Sequence, residues 1–144
     1  IIVLLFRQAH GGEWCVLAML YAFWSDTAGY FVGRAFGKHR LYMAVSPNKT
    51  IEGSIGGILG ALLGSMVAHF WFLPSLGFLP AVLLAIVAAI AGQRGDLCES
   101  LIKRSTGVKD SGTLLPGHGG MLDRVDALLF TNAAVYLYVA WQGG

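Results

Sequence analysis

Two stretches of this chain, IGGILGALLGSMVAHFWFL (residues 55–73) and LGFLPAVLLAIVAAIAG (residues 76–92), contain no Lys, Arg, Asp or Glu. At 1.5 Å of rise per residue, helices of nearly twenty residues cross roughly 30 Å of hydrocarbon. A soluble domain averages about 25% charged residues, whereas this chain has 12% and a mean hydropathy of +0.64. Both stretches are internal and lack the basic flank and cleavage site of a signal peptide. The chain therefore reads as an integral membrane protein.

Two further spans are expected, at about residues 14–32 and 123–141. The Pro-bearing PSLGFLP junction is too short for anything but an antiparallel hairpin between the two apolar stretches. That arrangement leaves two polar loops, residues 33–54 and 93–122, on one side. Nine of the ten Lys and Arg residues fall on that side, and only Arg7 falls opposite. The positive-inside rule places such loops in the cytoplasm. The expected fold is thus all-α, a polytopic membrane bundle of about four transmembrane helices with two cytoplasmic loops; in a bacterium it would lie in the inner membrane. The net charge of +2 resides in those loops and gives no reason to expect a nucleic-acid polymer as partner. The opening IIVLLF has no initiator Met and is too short to span, so residues 1–144 are expected to be the C-terminal catalytic portion of a longer protein whose N-terminal helices are missing.

Gly56, Gly60 and Gly64 recur every fourth residue, a stripe that lets another helix approach closely, by packing or dimerisation. Trp14, Trp71 and Trp141 fall near span ends, where indoles suit the headgroup level. Cys15 and Cys98 lie towards opposite faces and read as small buried hydrophobes.

Hydrocarbon penalises charge, so carboxylates at span ends point to function. The segment KRSTGVKDSGTLLPGHGGMLDRVD, residues 103–126, carries seven charged side chains. Asp26 lies late in the first span, Asp96 and Glu99 follow the third, and Asp123 and Asp126 open the fourth; all five fall towards one face. Residues three or four apart share a helix face. If GDLCES continues the third helix, Asp96, Glu99 and Ser100 therefore lie together, as do Asp123 and Asp126. Facing carboxylates repel unless something positive stands between them. On spacing alone three readings stay open: a hard divalent cation such as Mg²⁺, Mn²⁺ or Ca²⁺ held by oxygen, salt bridging to neighbouring bases, or an ion or proton path.

Lys103, Arg104, Lys109 and Arg124 are interleaved with these acids, and SPNKT adds Lys49 from the other loop. A metal-holding acid cluster beside several cations suits a polyphosphate, which chelates the metal while Lys and Arg meet its remaining charge. In PGHGGM, three glycines free the backbone to turn before the fourth helix. His118 there reads as a hydrogen-bonding or stacking residue before it reads as a base.

The stretch from Ser100 to Asp126, SLIKRSTGVKDSGTLLPGHGGMLDRVD, resembles the signature of the phosphatidate cytidylyltransferases, the CDP-diacylglycerol synthases, at all 27 of its positions. DTAGYFVGRAFGKHR and SPNKTIEGSIGG resemble the segment that precedes it, with one departure: Asn48 stands where the family often has a second Lys. The resemblance implies an all-helical dimer that transfers a cytidylyl group from CTP to phosphatidic acid, needs Mg²⁺ and leaves room for a second cation. Carried over by position, it makes Asp96 and Asp123 the main metal ligands and Asp126 a further or supporting one. Ser46, Lys49, Lys103, Lys109, Asp110 and Arg124 would surround the nucleotide and lipid phosphates, with Lys103 and Lys109 also serving catalysis.

Phosphatidate brings its own phosphate-oxygen nucleophile, so no Ser, Cys or His has to be activated. A site at the inner ends of spans one, three and four would leave acyl tails in lipid while CTP arrives from water. The nearest rival is a CTP-dependent lipid kinase of the polyprenol type, which would transfer the γ-phosphoryl group. A cation or proton transporter is a remoter alternative, because it calls for carboxylates near the bilayer midplane.

Overall fold

The computed structural model describes residues 1–8, 10–42, 46–105 and 122–142, with the side chains of residues 6, 42, 46–48, 103, 104 and 122–126 outside the description. A one-turn helix α1 (Ile2–Phe6) leads into α2 (Gly11–Phe36); a two-stranded ribbon, β1 (Arg40–Tyr42) and β2 (Ser46–Thr50), then precedes α3 (Ile51–Trp71), α4 (Phe78–Ser105) and α5 (Leu122–Gln142). Among the described residues three helices are long and apolar enough to cross a membrane: Gly11–Phe36, Ile51–Trp71 and Phe78–Ile102. Large apolar side chains such as Phe23, Leu59, Leu63, Leu83 and Val87 point outwards from them. A soluble fold would bury such side chains, whereas in a bilayer lipid covers them.

Small residues explain how tightly α2 and α3 pack. A Cβ built on Gly53 would lie 2.9 Å from the Gly29 carbonyl oxygen, and one on Gly60 would lie 2.4 Å from that of Trp24. The stripe Gly56, Gly60, Gly64 is thus filled from within the chain, by Val32, by Trp24 with Ala28, and by Trp24 with Leu20. Lipid gives helices no hydrophobic drive to associate, so close backbone approach and van der Waals contact take its place.

Polar contacts then fix the bundle's register. The Tyr21 hydroxyl meets Ser65 Oγ at 3.0 Å, and Ser65 donates to the Ala81 carbonyl at 2.9 Å, which ties α2, α3 and α4 together inside the core. Where α3 turns into α4, His69 Nδ1–H donates to the Leu76 carbonyl at 2.6 Å. The junction is the antiparallel hairpin expected. Trp14, near the start of α2, is buried and packs on Tyr138 with ring centroids 5.9 Å apart. Trp71 and Trp141 are exposed at that same end.

Contacts of Gly92 with Thr131 and of Trp14 with Tyr138 run α5 antiparallel to both α4 and α2. The last turns of α2 and α4 and the first turns of α3 and α5 therefore share one end of the bundle. Two features of that end depart from expectation. The apolar run stops at Gly92, but α4 continues helical to Ser105. Residues 33–54, expected as loop, contain the antiparallel ribbon, in which Arg40 pairs with Thr50 and Tyr42 with Ser46. The ribbon is pinned at its base: Ile51 N–H donates to the His39 carbonyl at 2.9 Å, and His39 Nδ1 pairs with Glu52 at 2.7 Å.

Candidate active site

Between α2, the ribbon, the start of α3 and the extension of α4 lies a cleft of about 570 Å³. Its α2 wall is built from Ser25, Asp26, Gly29, Tyr30, Gly33 and Arg34, two strips of residues at helical spacing. Gly29 and Gly33 take up no room on that wall, which is what lets Gly53 and Thr50 come so near. Thr50 caps α3 by accepting from Gly53 N–H at 3.1 Å. This cap ends β2 and begins α3 within one residue, so Lys49 is delivered to the cleft from a fixed backbone.

The far wall comes from α4. Asp96, half-exposed, is paired with Lys49 Nζ through Oδ2. One turn earlier, Gln93 accepts from Ser54 Oγ through Oε1 and donates through Nε2 to the Ser54 carbonyl at 3.0 Å. This two-way clasp holds the Asp96 turn of α4 against the first turns of α3. A side chain at Gly57 would displace it, since a Cβ there would fall 2.8 Å from Gln93 Nε2.

Asp26, Tyr30 and Arg34 follow one another at intervals of four residues along α2, all lining the cleft. Arg34 Nη1 donates to the Tyr30 hydroxyl at 3.0 Å. Glu99 is buried, four residues on from Gly95, which packs on the Phe130 ring of α5. Asp96 and Glu99 lie three residues apart on the same helical extension of α4, Asp96 lining the cleft and Glu99 buried.

Of the residues named from the sequence, the structure brings Lys49 and Asp96 together in one cleft. Lys109 and Asp110 lie outside the described residues, as does His118. For Ser46, Lys103, Asp123, Arg124 and Asp126 only the backbone is described. It puts Ser46 in β2, Lys103 in the last turn of α4, and the other three in the first turns of α5, at the cleft end of the bundle. Sequence reasoning gave no role to Ser54, Gln93, Tyr30 or Arg34. The i, i+4, i+8 spacing of Asp26, Tyr30 and Arg34 was a readable signal; the Ser54–Gln93 clasp, across 39 residues, had none.

The donors lining the cleft are the carboxylates of Asp26 and Asp96, the hydroxyls of Ser25, Tyr30, Thr50 and Ser54, and the Gln93 amide. No thiol or imidazole is among them, a donor set that fits a hard cation such as Mg²⁺ and not zinc. Among the described residues no three His, Cys, Asp or Glu side chains are grouped closely enough to hold a metal alone. Mg²⁺ asks for less, since it takes one or two carboxylates and leaves its other positions to water and substrate phosphates.

The model of the Cytidylyltransferase family matches residues 1–141. The chain belongs to this family. It is 46% identical over 123 residues to a phosphatidate cytidylyltransferase of Staphylococcus haemolyticus and 45% identical over the same length to one of Staphylococcus epidermidis, matches that cover 85% of this chain and 47% of each relative. A Bacillus subtilis phosphatidate cytidylyltransferase is 43% identical over 118 residues, 81% of this chain and 44% of the relative. The chain thus spans about half the length of the curated relatives it matches. Within this cytidylyltransferase segment the cleft is contributed by the C-terminal half of α2, the ribbon, and the facing ends of α3 and α4.

Proposed function

We propose that this protein is a phosphatidate cytidylyltransferase: it joins CTP and phosphatidic acid to give CDP-diacylglycerol and pyrophosphate. The observation that carries the reading is the meeting of Lys49 and Asp96, from separate elements, in one oxygen-lined cleft at the polar end of an apolar bundle. The relatives named above bear that activity in their names, and the family match supplies the reaction class.

In the reaction a phosphate oxygen of phosphatidate attacks the α-phosphorus of CTP, and the bond from that phosphorus to the bridging oxygen of the β-phosphate breaks, releasing pyrophosphate. Two polyanions must be aligned and the charge on the leaving group met; no protein nucleophile is required. Asp96, with Asp123 and Asp126 from the start of α5, would hold Mg²⁺, which when bound neutralises phosphate charge and orients the leaving group. Lys49 would turn from Asp96 to a phosphate oxygen as the substrates enter. Lys103, Lys109 and Arg124 would meet further phosphate charge, and Ser46 and Asp110 would hydrogen-bond at the edge of the nucleotide site. The Ser54–Gln93 clasp keeps the Asp96 turn in register with the ribbon while these partners exchange.

In this reading α5 is the fourth span, the cleft opens on the cytoplasm, and the active protein is a homodimer. Acyl tails then stay in lipid along α2 while CTP approaches from water. The test is incubation of the intact protein in detergent with radiolabelled CTP, phosphatidic acid and Mg²⁺, with and without a chelator. A CDP-lipid and pyrophosphate, both abolished by the chelator, are expected; CDP with a phosphorylated alcohol would mean a lipid kinase and would overturn the reading.

A further inference from the structure

The cleft holds two described cations, and they are not in the same state. Lys49 is spent on Asp96. Arg34 lines the cleft with its guanidinium on the neutral Tyr30 hydroxyl, and among the described residues it has no other side-chain partner and no carboxylate oxygen within 4.0 Å. Asp26 is on the same helix but eight residues away, about 12 Å along the axis. A guanidinium carries five N–H donors in a planar fork. Tyr30 takes one of them and fixes the direction of the others; four remain, enough for two-pronged binding of a phosphate.

The placement favours the same ligand. Arg34 falls in the last turn of α2, two turns beyond Asp26, at the end of the bundle that carries the ribbon. Gly33 beside it is the point where Thr50 packs against α2, since a Cβ there would lie only 3.1 Å from Thr50 Oγ1. Arg34 is exposed, so its side chain contributes little buried area to the fold.

We propose that Arg34 is a substrate-contacting residue that binds a phosphate group at the mouth of the cleft, with Tyr30 as the positioning residue that aims it. The ligand chemistry is a phosphate oxyanion, supplied either by the lipid headgroup or by the nucleotide's triphosphate. The assignment rests on the cytidylyltransferase reading for its reaction, but its test is one of binding and stands apart from turnover.

The experiment uses the intact protein in detergent, titrated separately with CTP and with dioctanoyl phosphatidate, by calorimetry. A charge-assisted two-pronged bond is worth about 1.5–3 kcal/mol, or about 10- to 150-fold in affinity. Arg34→Gln should weaken one ligand by that factor and leave the other within about twofold, which identifies the source of the phosphate. Arg34→Lys should recover part of the loss, because charge returns without the fork. Tyr30→Phe should cost a smaller factor for the same ligand only. Lys38→Gln, a nearby exposed cation that does not line the cleft, should change neither affinity. Equal binding of both ligands by Arg34→Gln and wild type overturns the proposal, as does equal weakening by Lys38→Gln, which would mean only diffuse charge. Loss of turnover by the wild type with these affinities intact would sink the reaction assignment and leave the phosphate site standing.

Discussion

Lys49 at the end of β2 and Asp96 in α4, 47 residues apart in sequence, form an ion pair across the cleft. Each side chain remains partly exposed, at 29% and 40%. Pairs with that much access to water contribute about 0–1 kcal/mol to stability, so folding does not explain the contact. In the proposed reaction the pair would keep a carboxylate neutralised and a cation occupied until ligands separate them. Lys49→Met should therefore raise the affinity of the substrate-free protein for Mn²⁺ several-fold, because the cation no longer competes with an ammonium for Asp96. The same change should weaken CTP binding and leave the thermal midpoint nearly unmoved. Titration of Mn²⁺ by electron paramagnetic resonance, with calorimetry of CTP, reads both; unchanged Mn²⁺ affinity would show that the pair does not guard the metal position.

Asp123 opens α5 at the same end of the bundle as Asp96. If the two share a cation, Asp123→Asn in the intact protein should lower CDP-diacylglycerol formation on the order of a hundredfold or more, since such an ion contributes several kcal/mol of charge stabilisation. Membrane insertion and the thermal midpoint should be preserved. Near-normal turnover by the variant would remove Asp123 from the metal site.

The second and third spans were legible because they are charge-free runs of the length that crosses a bilayer. The far end of α4 was less so: the apolar run stops at Gly92, but backbone hydrogen bonding continues the helix to Ser105 regardless of side-chain polarity. The ribbon escaped notice because RLY and SPNKT are short, and the second carries a proline, so neither has an alternating apolar face to betray it. Asp96 and Lys49 could each be picked out by residue type and motif, but their meeting could not, because it is made by the crossing of α3 and α4. The glycine stripe announced a close approach without naming α2 as the partner.

Gln93 links the walls of the cleft through both ends of its amide. Its loss leaves the Ser54 hydroxyl and carbonyl to find water, which the cleft can supply, so the stability cost of Gln93→Ala should be modest, about 1 kcal/mol. The effect on turnover should be larger, because Asp96 lies one turn away on the same helix and a displacement of about 1 Å is felt strongly in phosphoryl alignment. The expected pattern is a fall in kcat of at least about tenfold with a thermal midpoint lowered by only a few degrees. A parallel loss of both, in proportion to the fraction unfolded, would mean that the clasp serves only the fold.

The glycines of α3 allow a prediction in which the sign itself is diagnostic. Replacing a helical glycine by alanine gains up to about 1 kcal/mol in intrinsic helix preference. At Gly64 the new Cβ would meet Trp24 and Leu20 at 3.6–3.8 Å, ordinary contact distances, so the gain should be realised and Gly64→Ala should be neutral or stabilising. At Gly60 the Cβ would lie 2.4 Å from the Trp24 carbonyl oxygen and 2.6 Å from the Ala28 Cβ. Neither atom can swing aside, since one is backbone and the other is fixed to it. The two helices would have to separate, an overpacking cost of about 1–3 kcal/mol that exceeds the gain. Thermal unfolding of the intact protein in detergent should thus show Gly60→Ala below wild type and Gly64→Ala at or above it. Separation of α2 from α3 also widens the cleft between Tyr30 and Lys49, so Gly60→Ala should lose CTP affinity although the residue itself lies outside the cleft lining. If both variants instead shift the midpoint in the same direction by similar amounts, the intrachain crossing of α2 and α3 is not what the stripe serves.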